Sequence, residues 1–278
     1  MTKSLALCCL LPIIASAGVC NEQFSVGTSY VPYCSNGKTG PAVIVIHGVD
    51  RNADDYLAYM SDMTTLVIVP EFQAQGPGLY WSSGWSEGNK SLDSTRTSSF
   101  EVMDRMVVDF GAVAVIGHSA GGQFVNRYAS GTRIRGLSYI VANPGSYLWL
   151  DGTRPESTAG CPSYNQYKYG FESPNSYMSR GLAPTYANRD VIYLLGELDT
   201  EIDANLNTGC RANAQGANRY ERGVNFFLHL NDYFGQPTHR LIVVPNVGHS
   251  ASQMLQAAKA YLPQKKAGCG AECHLGVE

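Results

Sequence analysis

The run Ala112-Val113-Ala114-Val115-Ile116-Gly117-His118-Ser119-Ala120-Gly121 decides how the rest of the chain is read. Five apolar residues lead into the Gly-His-Ser-Ala-Gly turn and an amphipathic stretch over 120–129 leaves it, which reads as strand, sharp turn and helix. Glycines on both sides of Ser119 let the backbone turn tightly and hold a hydroxyl out at the end of a sheet, the geometry of a nucleophile elbow. A serine held this way suits acyl transfer. The competing reading of Ser119 is a polar helix N-cap.

The G-x-S-x-G spacing is weak without that context, because a chain with 29 glycines produces such matches by chance. A second match, Gly84-Trp85-Ser86-Glu87-Gly88, shows this. It lies within 73–99, a segment of Gly, Ser, Trp and Asn with no apolar run before it and no amphipathic stretch after it. Ser86 reads as a loop serine, and Ser119 is the nucleophile candidate.

Outward from the elbow the pattern is regular. Short, nearly continuous apolar runs at 42–46, 66–69, 112–116, 137–142, 191–195 and 241–244 read as strands buried on both faces. Helical patterns lie between them at 53–60, 100–110, 120–129, 214–234 and 250–262. Before them, 24–33 reads as a first strand followed by the turn Ser35-Asn36-Gly37-Lys38. Strand alternating with helix predicts an α/β fold with a mostly parallel central sheet and helices on both faces. The exception is 144–188, dense in Tyr, Ser, Gly and Pro, which reads as a cap-like, loop-rich insertion after the sixth strand.

Composition bounds the setting. The 278 residues are 44% hydrophobic, enough to bury a full core, but only 15% charged, against roughly 25% in an average soluble chain. A net charge of −3 and no basic cluster beyond Lys265-Lys266 argue against nucleic acid as a partner. Lys3, an apolar stretch over 5–14 and Ala15-Ser16-Ala17 form a secretory signal peptide, 1–17, followed by one domain, 18–278. A lipoprotein reading of Cys20 is disfavoured by the bulk of Val19 before it. The apolar stretch is too short for a stable membrane anchor. An extracellular or periplasmic monomer is expected.

A serine hydroxyl needs a base, and that base works better when a buried carboxylate orients it. The strand at 191–195 ends in Gly196-Glu197-Leu198-Asp199, and the strand at 241–244 ends in Pro245-Asn246-Val247-Gly248-His249. A parallel sheet brings such ends to one edge. Asp199 is chosen over Glu197, Glu201 and Asp203 because it stands three residues past Gly196, clear of the strand. His249 is chosen over His118, which would project away from its neighbour Ser119, and over His229 and His239, which fall inside a helix and before a strand. The alternation Asp199, Glu201, Asp203 suggests a calcium loop, but the mid-loop glycine and closing glutamate of an EF-hand are missing. No metal and no cofactor are expected.

His47-Gly48, the Ser119 pentapeptide, Gly196-Glu197-Leu198-Asp199 and Gly248-His249 together resemble the α/β-hydrolase superfamily over nearly the whole chain after the signal. Arg51-Asn52-Ala53-Asp54-Asp55-Tyr56 resembles the branch of secreted serine esterases related to polyhydroxybutyrate depolymerases and feruloyl esterases. The resemblance implies a Ser119, His249, Asp199 triad acting through an acyl-enzyme. It places the oxyanion hole at the Val49 and Ala120 amides, with His47 as a structural hydrogen-bonding residue. Asn52 and Asp55 read as a helix cap. Six cysteines remain after the signal; proximity and the expected fold favour Cys20 with Cys34, Cys161 with Cys210, and Cys269 with Cys273 among fifteen pairings.

Tyr80, Trp81, Trp85 and Trp149 fall in the irregular segments and are candidate walls for an aromatic or polymeric ester; packing of these rings against the sheet is the alternative. Asn143 is a candidate substrate contact or a turn residue before Pro144, and Asn89-Lys90-Ser91 is a glycosylation sequon. Two other functions stay open: an exported serine peptidase or amidase of the same fold, and a non-catalytic binding module.

Overall fold

The computed structural model describes residues 19–263. The signal-peptide segment 1–17 and the Cys269 with Cys273 pairing lie outside the described residues. The fold is one eight-stranded sheet in the order β1-β2-β4-β3-β5-β6-β7-β8. Its strands are β1 (Val19–Val26), β2 (Ser29–Ser35), β3 (Ala42–Ile46), β4 (Leu66–Pro70), β5 (Ala114–His118), β6 (Ser138–Ala142), β7 (Asp190–Gly196) and β8 (Arg240–Val244). From β4 to β8 in that order every pairing is parallel, while β1 and β2 form an antiparallel hairpin on β4.

The expected single strand over 24–33 is therefore two. Gly27, at φ +62°, turns the chain between Val26 and Ser29, which pair with each other. The turn brings Cys20 onto Cys34 as a disulfide.

Side-chain alternation explains why the parallel strands read as unbroken apolar runs. On β3, Ala42, Ile44 and Ile46 face one core layer while Val43 and Val45 face the other, and β5, β6 and β7 divide likewise. Helices α2 (Ser99–Asp109), α3 (Ala120–Gly131) and α5 (Arg219–Phe234) pack on the first face; α1 (Ala53–Tyr59) and α6 (Ala251–Ala258) pack on the second. The expected helix over 214–234 begins only at Arg219 as α5, because Gly216, φ +141°, breaks the backbone before it; a short α4 (Cys210–Asn213) precedes that break.

The insertion after β6 is irregular yet firmly tied down. The Leu148 amide donates to Asn126 of α3, Gln215 clasps the Tyr147 backbone in both directions, and the Ala183 amide donates to the Ser130 carbonyl. A disulfide joins Cys161 to Cys210 at the start of α4.

Candidate active site

In-register pairing sets β5, β6, β7 and β8 so that His118 pairs with Ala142, and Gly196 with Val244, and their carboxyl ends share one rim. Ser119 stands at that rim between β5 and α3 with φ 57° and ψ −118°, a backbone conformation that L-residues rarely adopt. Its side chain does not cap α3. The turn is possible because a Cβ on Gly121 would come within 2.2 Å of the Ile46 carbonyl oxygen and one on Gly117 within 2.1 Å of the Gly121 oxygen.

Ser119 Oγ lies 2.9 Å from His249 Nε2, and His249 Nδ1 lies 2.8 Å from Asp199 Oδ2. Asp199 is 1% exposed, whereas the His249 side chain is 24% exposed. The carboxylate is thus enclosed and the imidazole meets solvent at the rim. Glu197 accepts instead from the Asn246 amide, and Asp203 binds Arg219. His118 turns to Tyr56, its Nδ1 3.1 Å from the phenol oxygen, with its ring 4.7 Å from that of His249. Burial, then the charges of His249 and Arg219, hold the His118 pKa well below the ordinary histidine value.

The loop after β3 reaches Ser119. A Cβ on Gly48 would stand 3.9 Å from Ser119 Cβ and 2.8 Å from the Tyr56 hydroxyl, so the loop packs closely at Gly48, the residue before Val49. His47 fixes this loop: its Nδ1 meets the Gly48 carbonyl at 2.9 Å and its Nε2 accepts from the Phe72 amide at 3.0 Å. The accepting Nε2 makes it the neutral Nδ1-H tautomer. Burial pushes its pKa down to about 4. Ala120 is the first residue of α3, where a backbone N-H has no acceptor within the helix.

Asn143, a candidate substrate contact, is instead enclosed and engaged within the fold. It is 1% exposed at φ 45°, accepts from the Gly196 amide at 2.8 Å and donates to the Gly248 carbonyl at 3.1 Å. It staples the loop carrying Asp199 to the loop carrying His249. The tryptophans also differ from the expectation of a binding wall: Trp81, Trp85 and Trp149 are 0%, 4% and 2% exposed. Phe72 stacks on Trp85 and meets Trp81 edge-on, and Trp149 stacks on His229, so burial of these rings in the core won over exposure. Tyr80 is half-buried.

Ser86 sits in a short turn between Gly84 and Gly88, both left-handed, and its carbonyl accepts from Arg127. Asn52 occupies the N-cap of α1 but spends its amide on Asp55 rather than on the backbone. Asn89 accepts from Asn175, which engages the sequon within the fold. Among the described residues no group of three or more His, Cys, Asp or Glu side chains is placed to hold a metal ion. No described helix is long and apolar enough to cross a membrane.

Among solved structures, this one superposes on poly(aspartic acid) hydrolase-1 from Sphingomonas sp. KT-1 with a TM-score of 0.66, at 22% identity over 88% of this chain and 98% of that one. It superposes on LpqC, a poly(3-hydroxybutyrate) depolymerase from Bordetella parapertussis, with a TM-score of 0.64, at 23% identity over 85% of this chain and 88% of that one. The chain has the α/β-hydrolase fold. No family model and no curated protein matches the sequence. On this α/β-hydrolase scaffold Ser119, Asp199 and His249 come together at the carboxyl rim of the sheet. Sequence reasoning missed the Tyr56 to His118 contact and the Arg219 to Asp203 pair, for which a lone buried arginine at a helix start carries no periodic signal.

Proposed function

We propose that this chain is an exported serine hydrolase that cleaves carboxylic esters through an acyl-enzyme. The reading rests on one observation: hydroxyl, imidazole and carboxylate lie in sequence at 2.9 Å and 2.8 Å. Ser119 Oγ attacks the acyl carbon while His249 Nε2 takes its proton, and Asp199 Oδ2 accepts from the Nδ1-H and stabilises the imidazolium. The Val49 and Ala120 amides receive the oxyanion. The tetrahedral species collapses as His249 returns the proton to the leaving alkoxide, and a water activated by the same imidazole releases the acid.

The substrates that fit are bulky or polymeric esters, hydroxycinnamate esters and polyesters among them. Support comes from the partly exposed base and from exposed apolar side chains at Val49 (48%), Leu198 (54%) and Ile202 (67%) on the two loops beside it. Export is supported by the leader pattern and by two disulfides, which persist in oxidising compartments.

Incubation with a fluorophosphonate tests the chemistry: stoichiometric labelling at Ser119 with loss of nitrophenyl-ester turnover is the expected result. An unlabelled protein without turnover removes the reading in favour of a binding module, and label at Ser119 without loss of turnover removes Ser119 as the nucleophile. A second reading, amide hydrolysis, is favoured by the fold likeness to an enzyme named for poly(aspartic acid), a polyamide. Matched ester and anilide substrates separate the two: turnover of the ester with none of the anilide is expected, and cleavage of the anilide supports the second reading.

A further inference from the structure

Through its other oxygen, Asp199 faces a second pair of charges that the steps above do not use. Arg219 opens α5 and its side chain is 2% exposed, with Nη1 3.7 Å from Asp199 Oδ1, an oxygen that accepts no hydrogen bond. The same guanidinium donates to both oxygens of Asp203, Nη1 to Oδ2 at 2.9 Å and Nη2 to Oδ1 at 2.8 Å. When His249 takes a proton, imidazolium, carboxylate, guanidinium and carboxylate stand in a line of alternating charge.

A carboxylate enclosed to 1% exposure needs a countercharge, and Arg219 supplies it. That cation also opposes a second cation across the shared carboxylate, so it disfavours the imidazolium. Asp203 returns part of the effect by neutralising Arg219, and it lies close enough to His249 to feel its charge. The other groups around the pair are quiet. Burial keeps His118 neutral and, with Asp199 beside it, pushes the Tyr147 phenol well above its ordinary value. The Tyr56 phenol is likewise raised by burial, and Arg222, one turn along α5, spends its guanidinium on the Gly216 and Gly145 carbonyls and on Asn213.

We propose that Arg219 and Asp203 are positioning residues that set the acid edge of activity: Arg219 keeps the imidazole available as a base at lower pH, and Asp203 limits that effect. The proposal deepens the serine-hydrolase reading and rests on it. The test is kcat/KM for 4-nitrophenyl acetate from pH 4 to 9, with fluorophosphonate titration of active sites, in the unaltered protein and three variants. Arg219→Gln should move the acid limb up by roughly half to one pH unit, since a charge is removed at short range in a poorly solvated site. Asp203→Asn should move it down, by less, and Arg219→Lys should leave it within about 0.2 units.

Opposite shifts are the signature, because a merely structural tie would weaken all variants without moving their limbs in opposite directions. If Arg219→Gln does not fold, the downward shift in Asp203→Asn with an unmoved Arg219→Lys carries the test. Unmoved limbs, or limbs moving the same way in variants that still titrate fully, overturn the proposal while leaving the triad reading intact. Failure of Ser119 to label in the unaltered protein overturns both, and is read separately.

Discussion

Ser119 and Ser86 share a pentapeptide spacing, and only their surroundings separate them. Ser119→Ala removes the hydroxyl that meets His249, so turnover should fall by roughly 10⁴-fold or more while the melting temperature barely moves. Ser86→Ala should leave both within about twofold, since that residue's contact runs through its carbonyl. Parallel measurement of ester turnover and thermal melting checks both. Asn143 shows a different lesson. Its side chain holds the Asp199 and His249 loops together, so, on the proposed function, Asn143→Ala should lower kcat by roughly tenfold or more with little change in KM, the pattern of lost orientation rather than lost binding. Steady-state kinetics on one soluble ester decides it. From sequence Asn143 was visible as important but not in what way, because a left-handed asparagine after a strand serves turns and ligands alike.

At the scale of elements, the join between β5 and α3 depends on backbones passing closer than any side chain allows. Gly121→Ala would drive a methyl to 2.2 Å from the Ile46 carbonyl, so β3 or α3 must shift; a loss of about 3 kcal/mol or more in unfolding free energy is expected by urea titration. This closeness is also why the elbow was legible: steric need forces glycine at fixed offsets, and glycine is visible in one dimension. The parallel strands were legible for an equally physical reason, since burial on both faces demands unbroken apolar runs. What stayed hidden had no such period. The hairpin at Gly27 looked like one strand because apolar spacing continues through its short turn, and the tryptophans of the irregular segments gave no sign of which way they point. Asp199 and His249 were visible as strand-end residues, whereas Arg219 reaches Asp199 from a helix start elsewhere in the sequence.

Across the whole molecule, histidines held neutral by burial tie stability to acidity. His47 and His229 are each pushed by burial from 6.5 to about 4, and His118 and His239 are shifted in the same direction. The unfolded chain takes up these protons below about pH 6.5 while the folded chain refuses them until about pH 4. Stability is therefore full above the unfolded value and drains as pH falls through that window, with His47 alone contributing about 3 kcal/mol at its lower end. Below pH 4, Asp203, held down to about 2 by Arg219, adds a further loss. Urea midpoints should fall steadily from pH 7 to pH 4.5, and a midpoint that stays flat would contradict this.

Of the strands that lead to Ser119, Asp199 and His249, β8 is the outermost and the least enclosed, with Val243 39% exposed, and His249 hangs from the loop at its end. All three indoles, by contrast, sit deep in the layered interior. Mild denaturant should thus fray the sheet's margin and abolish the proposed ester turnover while intrinsic fluorescence still reports an intact centre, so that a spectroscopic melt overstates the range over which the protein works.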